Sequence, residues 1–100
     1  MKTTDTIKAL ANGRRLLILD WLKDPRAHFA PQVDGDLVDD GVCALLLAEK
    51  LGITQATLSE HMRVLVQAGL VVPKRIKQWT FYRRDEACIR AVKADLLANL

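Results

Sequence analysis

The sequence predicts a mainly α-helical domain with one small β-hairpin, five helices and two strands in a single unit over residues 1–100. Three observations point there. Ala44, Leu47, Ala48 and Leu51 fall at i, i+3, i+4 and i+7, which is one face of a helix. After a glycine, Leu58, Met62, Leu65 and Val66 repeat the stripe in a second segment. Beyond Gly69 the period changes: Trp79, Phe81 and Arg83 alternate with Thr80, Tyr82 and Arg84, as the residues of a half-buried strand do.

Taken in order, Thr4 to Ala11 forms a first helix, with Ile7, Leu10 and Ala11 on one face and Asp5 near its positive end. Asn12-Gly13 reads as a turn. Arg14 to Lys23 makes a second helix with Ile18, Leu19 and Leu22 inward and Trp21 at its edge. Asp24-Pro25 ends it, because proline disfavours helical backbone in the residue before it. Residues 25–40, PRAHFAPQVDGDLVDD, hold two prolines, a glycine and four aspartates. They read as an extended acidic loop rather than another helix, and so long a loop in a compact domain is often functional.

Asp39 or Asp40 then suits the N-cap of the helix leading into Leu51, which puts Cys43 in that helix's first turn. Gly52 is a helix stop, free to take left-handed backbone, and Thr54 is a natural cap for the segment that follows. Helix, short glycine-containing turn and helix make a helix-turn-helix. Leu70–Ile76 and Trp79–Arg84 follow as the hairpin, and Pro73 tolerates only an edge position there. The turn around Lys77-Gln78 lacks the usual Asn-Gly signal. Asp85 caps a last helix reaching Leu100. Ile89, Val92, Leu96 and Leu100 lie on one side of it, with Ala87, Ala91, Ala94 and Ala98 nearly opposite. A terminal helix with two apolar sides suggests a seam between two copies of the chain.

Charge placement narrows the function. The net charge is only +3, yet Arg63 to Arg84 hold six Lys/Arg and no acidic residue, the footprint a polyanion needs. The polar face of the second segment carries Gln55, Thr57, Ser59, Glu60, His61, Arg63 and Gln67. Base edges are read by hydrogen bonds from side chains of this kind near a helix N-terminus. Lys74, Arg75 and Lys77 cluster at the hairpin tip, where a wing reaches phosphates or the minor groove. The predicted architecture is therefore a winged helix-turn-helix. A winged-helix protein-interaction module without a DNA role is the alternative, and the salt dependence of duplex binding separates the two.

Other classes find less support. The start, MKTTDTIKAL, shows no signal peptide, and no stretch is long and apolar enough to span a bilayer. Two cysteines fit a reducing, cytoplasmic setting rather than a disulfide scaffold. Neither a phosphate-cradling loop nor a plausible nucleophile and base pair is present, so catalysis and a resident cofactor are not expected. His28, Asp34 and Asp36, with Asp39, Asp40 and Cys43 nearby, are weak metal candidates whose spacing matches no zinc or EF-hand pattern. Cys43 and Cys88 both fall in N-terminal turns of helices, where a thiolate is favoured, and are candidates for a redox or effector switch.

KALANGRRLLIL, LAEKLGITQATLSEHMRVLVQAGLV and the basic hairpin ending in WTFYRRD together resemble the ArsR/SmtB family of winged-helix repressors, over nearly the whole chain except residues 25–40. The resemblance implies a homodimer built through its first and last helices. It implies two recognition helices in successive major grooves of a near-palindromic operator, about 34 Å apart, and release when an effector binds. By position it implies that Thr54, Gln55, Ala56, Thr57, Ser59, His61 and Arg63 face double-stranded DNA, with Lys74, Arg75 and Lys77 on the wing. The chain departs from the family's metal sensors. Cys43 matches the first position of their Cys-x-Cys pair but Leu45 stands at the second, and Asp85–Leu100 lacks the ligands of their alternative site. Thiol oxidation, a metal or a small ligand bound by the acidic loop all remain open as the signal.

Overall fold

Gly52 and Thr54 act as the sequence requires in the computed structural model, which describes residues 3–100. Gly52 ends one helix with φ 69°, and its amide hydrogen bonds back to the Ala48 and Glu49 carbonyls. The Thr54 hydroxyl accepts the Thr57 amide proton at 3.1 Å and starts the next helix. Around this turn the described residues run α1 (Thr3–Leu10), α2 (Gly13–Lys23), α3 (Pro25–His28), β1 (Val42–Cys43), α4 (Ala44–Leu51), α5 (Gln55–Gln67), β2 (Val71–Ile76), β3 (Trp79–Arg84) and α6 (Glu86–Asn99). The expected winged helix-turn-helix is present, with one helix and one strand more than the sequence reading placed.

Both additions have local causes. Pro25 occupies the first turn of α3, where a missing N–H costs nothing, and its buried ring anchors that single turn. β1 is two residues long, too short to leave an alternation in the sequence. It pairs antiparallel with β3, Val42 opposite Tyr82 and Cys43 opposite Phe81. The sheet order is β1-β3-β2, so Pro73 does lie on an edge strand. Gly41 enters β1 at φ 108°, where a Cβ would meet the Tyr82 carbonyl at 2.4 Å. Only glycine lets the chain approach β3 that closely.

Capping also differs in two places. Asn12 is a cap as well as a turn residue, its Oδ1 accepting from the Arg14 and Arg15 amides at 3.0 and 3.2 Å. Neither Asp39 nor Asp40 caps α4; Cys43 holds that position without a side-chain hydrogen bond, outside the first turn. The aspartates are used within the loop. Asp36 Oδ2 accepts from the Val38 and Asp39 amides, and Asp40 Oδ2 accepts from the Asp36 amide at 2.7 Å. Gln32 fixes the loop to β1 through both ends of its amide, donating to the Gly41 carbonyl at 2.7 Å and accepting from the Cys43 amide at 3.1 Å. After the single turn of α3, the segment is the ordered loop expected, held by its own hydrogen bonds.

The core joins Ile18 of α2, Leu47 of α4, Leu58, Met62 and Leu65 of α5, and Val42, Leu70 and Val71 near the sheet. Fully burying one such side chain is worth about 1.5–3 kcal/mol, so α5 is seated chiefly by its Leu58–Met62–Leu65 stripe. Phe81 is buried on the other side of the sheet, against residues 31–40, where its ring approaches Gly35. Arg84 is likewise turned inward: Nη1 donates to the Leu19 carbonyl at 3.1 Å, and Nε and Nη2 grip Glu86.

Candidate nucleic-acid interface

Because α5 buries Leu58, Met62 and Leu65, its opposite face is left to solvent. Thr54, Gln55, Ala56, Ser59, Glu60, Arg63 and Gln67 are exposed there, with Thr57 and His61 half-buried at the margins. The first turn presents an amide, a methyl and hydroxyl groups within one helical step of the helix N-terminus. That chemistry suits base edges and phosphate oxygens together. Not every group is idle in the free chain. Thr57 Oγ1 accepts from the Thr54 hydroxyl at 3.0 Å.

Three more candidates, Glu60, His61 and Arg63, have internal partners. Arg63 is bound to Glu60 one turn earlier, Nη2 to Oε2 at 2.9 Å, and its Nη1 donates to Gln67 Oε1 at 3.2 Å. The pairing holds the Glu60 carboxyl below its usual range and raises the Arg63 guanidinium. His61 Nδ1 lies 3.2 Å from Arg15 Nη1. A guanidinium can only donate, so Nδ1 must be the acceptor and the ring proton sits on Nε2. Burial, then the nearby Arg15 and Arg14 charges, lower the His61 pKa, and Glu60 opposes them. The neutral, Nε2-protonated ring is the form the structure favours.

Arg14 and Arg15 extend this surface beyond the residues the sequence singled out. Arg15 also closes the end of α1, donating from Nε to the Ala9 carbonyl at 2.6 Å and from Nη2 to the Lys8 carbonyl at 3.0 Å. It positions His61 by tying α1 to α5. A charge count over residues 63–84 could not include either arginine. The motif KALANGRRLLIL, which holds both, was the available signal.

The wing shows the largest departure from the linear charge tally. Lys74, Arg75 and Lys77 are exposed at the tip, and Lys77 takes a left-handed φ of 55° to close a turn without glycine. Yet Lys74 is salt-bridged to Asp40, and Lys77 Nζ lies 3.2 Å from Asp34 Oδ1. Arg75 Nε donates to the Lys77 carbonyl at 3.2 Å. The Lys74 hydrogen bond and, after it, the Asp36 amide hold the Asp40 carboxyl below its usual range. Asp36 is lowered chiefly by the Asp39 and Val38 amides, with Arg26 3.6 Å away. The basic block that lacked acidic residues in sequence therefore meets them in space, because residues 34–40 fold back along the wing.

The remaining candidates are dispersed. His28, Asp34 and Asp36 are not brought together, and no group of three or more His, Cys, Asp or Glu suited to a metal ion exists among the described residues. Cys43 and Cys88 are free and half-buried on different elements. Cys43 borders a cleft between residues 28–34, α4 and β3, and Cys88 donates its amide to the Asp85 cap at 2.9 Å. No helix among the described residues is long and apolar enough to cross a membrane. Ile7, Leu16, Leu17 and Leu97 expose large apolar side chains on α1, α2 and α6. Of the two apolar sides of α6, Ile89 is buried with Val92 and Leu96 half-covered, whereas the four alanines are exposed.

Comparison with known proteins agrees with this geometry. A helix-turn-helix domain family matches residues 35–73. The chain is 44% identical over 89 residues to the uncharacterized HTH-type transcriptional regulator YbzH of Bacillus subtilis strain 168, covering 89% of each. Among solved structures it is similar to the homodimeric winged helix-turn-helix DNA-binding domain Mb0332 of Mycobacterium bovis, described as a possible ArsR-family transcriptional regulator. The TM-score there is 0.66 at 28% identity, over 96% of this chain and 76% of that one. HlyU of Vibrio cholerae N16961 matches with TM-score 0.64 and 26% identity, over 91% and 84% of the two chains.

Proposed function

Since the chain belongs to the helix-turn-helix transcriptional regulators, we propose that it is an ArsR-family homodimeric repressor of the winged helix-turn-helix type, held on a near-palindromic operator until an effector releases it. The observation that carries this reading is the α5 face. A helix capped by Thr54 and locked by three buried apolar residues presents Gln55, Ala56 and Ser59 outward at its N-terminal half, with Arg63 one turn further on. Gln55 suits the N6 and N7 edge of adenine, while Thr57 and Ser59 suit bases or phosphates. Glu60 suits a cytosine amine once Arg63 turns from it to a phosphate. Lys74, Arg75 and Lys77 supply sequence-independent contacts from the wing.

Pairing through α1 and α6 supports the same picture. The exposed Ile7 and Leu97, with the alanine side of α6, form an apolar surface that a second copy covers, as the Mycobacterium bovis domain is homodimeric. Two recognition helices then sit about one turn of B-DNA apart. The regulator acts in the cytoplasm, beside its DNA. The family's Cys-x-Cys site is broken by Leu45, which favours an effector other than a metal held in that way.

Selection of bound duplexes from a random pool tests the reading, repeated with reduced protein, oxidised protein and added metals. The expected result is a near-palindrome with half-sites about one helical turn apart. One observation favours the second reading, a protein-interaction module. The wing lysines are already neutralised by Asp34 and Asp40. That reading prevails if no duplex is retained at low salt.

A further inference from the structure

A cleft of about 700 Å³ lies between residues 28–34, the length of α4 and strand β3. It falls within the range of small-molecule sites, about 300–1,000 Å³. Its walls are apolar and partly aromatic, Phe29, Leu45, Leu46, Trp79 and Phe81, with Val33 at the lip. Three of the polar side chains on its border already have partners. Gln32 spends both amide atoms on the loop-to-β1 bonds, and Asp34 holds Lys77. Lys50 places its ammonium 5.2 Å from the Trp21 ring centre and 5.6 Å from that of Phe29. His28 and Glu49 complete the mouth. Apart from the half-buried Cys43 thiol, what the interior offers is ring faces and methyl groups, so its complement is flat and uncharged.

The apolar surface suited to a second copy lies on α1, α2 and α6, and none of these elements borders the cleft. Dimerisation through them leaves it open. The cleft is also wired to the wing. Trp79 and Phe81 belong to the hairpin itself, and Asp34 on the cleft wall is the residue that holds Lys77 at the hairpin tip. Val33, fully exposed at the lip, gains an apolar partner when the cleft is filled.

We propose that this cleft is the effector site and takes an uncharged, planar aromatic small molecule, whose binding fixes residues 29–34 and keeps Lys77 on Asp34 instead of on a phosphate. This rests on the DNA-binding reading above for its consequence, but not for the site itself. N-phenyl-1-naphthylamine, an uncharged aromatic fluorophore, is the probe. The expected result is a saturable fluorescence rise at one probe per chain. Ala30→Trp, at an exposed position on the cleft border that leaves the core untouched, should weaken probe binding by at least about tenfold. The same saturating probe should weaken anisotropy-measured binding of a pool-selected duplex several-fold in the wild-type chain and leave the variant unmoved. Equal probe binding by Ala30→Trp would place the dye elsewhere and overturn the proposal. So would saturable binding that leaves duplex affinity unchanged. Absence of any duplex binding without probe would instead refute the DNA reading, and the probe titration would still decide whether the cleft binds.

Discussion

Replacing Lys74 and Lys77 by glutamine tests whether the wing reaches phosphates, and the structure sets the size of the effect. Arg63 on α5 and Lys74, Arg75 and Lys77 at the wing tip are exposed cations in each protomer. In a dimer they reach about eight phosphates, and each neutralised phosphate contributes about 0.9 to the salt exponent, so log affinity should fall against log salt with a slope near −7. The two substitutions remove about four contacts per dimer and should bring the slope near −3.6. Between about 50 and 200 mM salt, that changes the loss of affinity from about ten-thousand-fold to about a hundredfold. Glutamine keeps most of each stem, and both lysines are surface residues in exposed ion pairs, so thermal stability should barely move. Anisotropy titrations of one duplex at several salt concentrations give the slope directly. The reciprocal variant, Asp34→Asn with Asp40→Asn, frees both lysines and should raise low-salt affinity several-fold. An unchanged slope in the glutamine variant, or weakening confined to one DNA sequence, would refute the wing assignment. A wild-type slope already near −3.6 would show that the aspartates keep the lysines even on DNA.

Three further outcomes follow from the geometry. Gly41→Ala forces a Cβ against the Tyr82 carbonyl at positive φ, and urea denaturation should show a loss of about 2–4 kcal/mol; a loss below about 1 kcal/mol would mean that β1 shifts at little cost. Arg84→Met removes the hydrogen bond to the Leu19 carbonyl and should cost about 1.5–3 kcal/mol of stability while leaving the salt slope unchanged, since this arginine faces inward. His61 has a lowered pKa, so below about 6.5 the unfolded chain binds the proton more readily than the folded one. Stability should therefore fall as pH drops from neutral through 6.5 and stop falling below the folded value. A His61→Gln variant should lose that dependence in thermal scans, whereas the lowered Asp36, Asp40 and Glu60 carboxyls act only in a separate window below their ordinary 3.8 and 4.5.

What was legible in the sequence was whatever local physics decides. Thr54 and Gly52 bound their helices through contacts within one turn, and the apolar stripe of α5 declared which face would be left over. The two faces of β3 followed from a period of two, and the edge position of β2 from Pro73, whereas the pairing register did not. The failures were non-local. β1 exists because β3 is there to pair with, and two residues carry no periodicity of their own. Asp39 and Asp40 looked like caps because capping is judged by adjacency, but the chain turned them into a closed acidic loop instead. The inward turn of Arg84 and the arrival of Arg15 beside His61 likewise depend on elements far apart in the chain.

Electrostatics shows most clearly why that distinction bears on function. A tally along the chain separates an acidic loop from a basic hairpin, and reads the first as solvated and the second as a DNA contact. In the fold they are one object: Asp34 and Asp40 occupy the wing lysines that a phosphate would otherwise take. Exposed ion pairs of this kind are individually weak, so DNA can displace them, and small changes in loop position can shift the balance either way. A loop that also walls an apolar cleft is placed to convert occupancy of that cleft into a change in the cations available to DNA. Within that loop the described residues bring no group of three or more His, Cys, Asp or Glu together for a metal ion. Two of the loop's aspartates, Asp34 and Asp40, serve instead as counter-ions to the wing lysines.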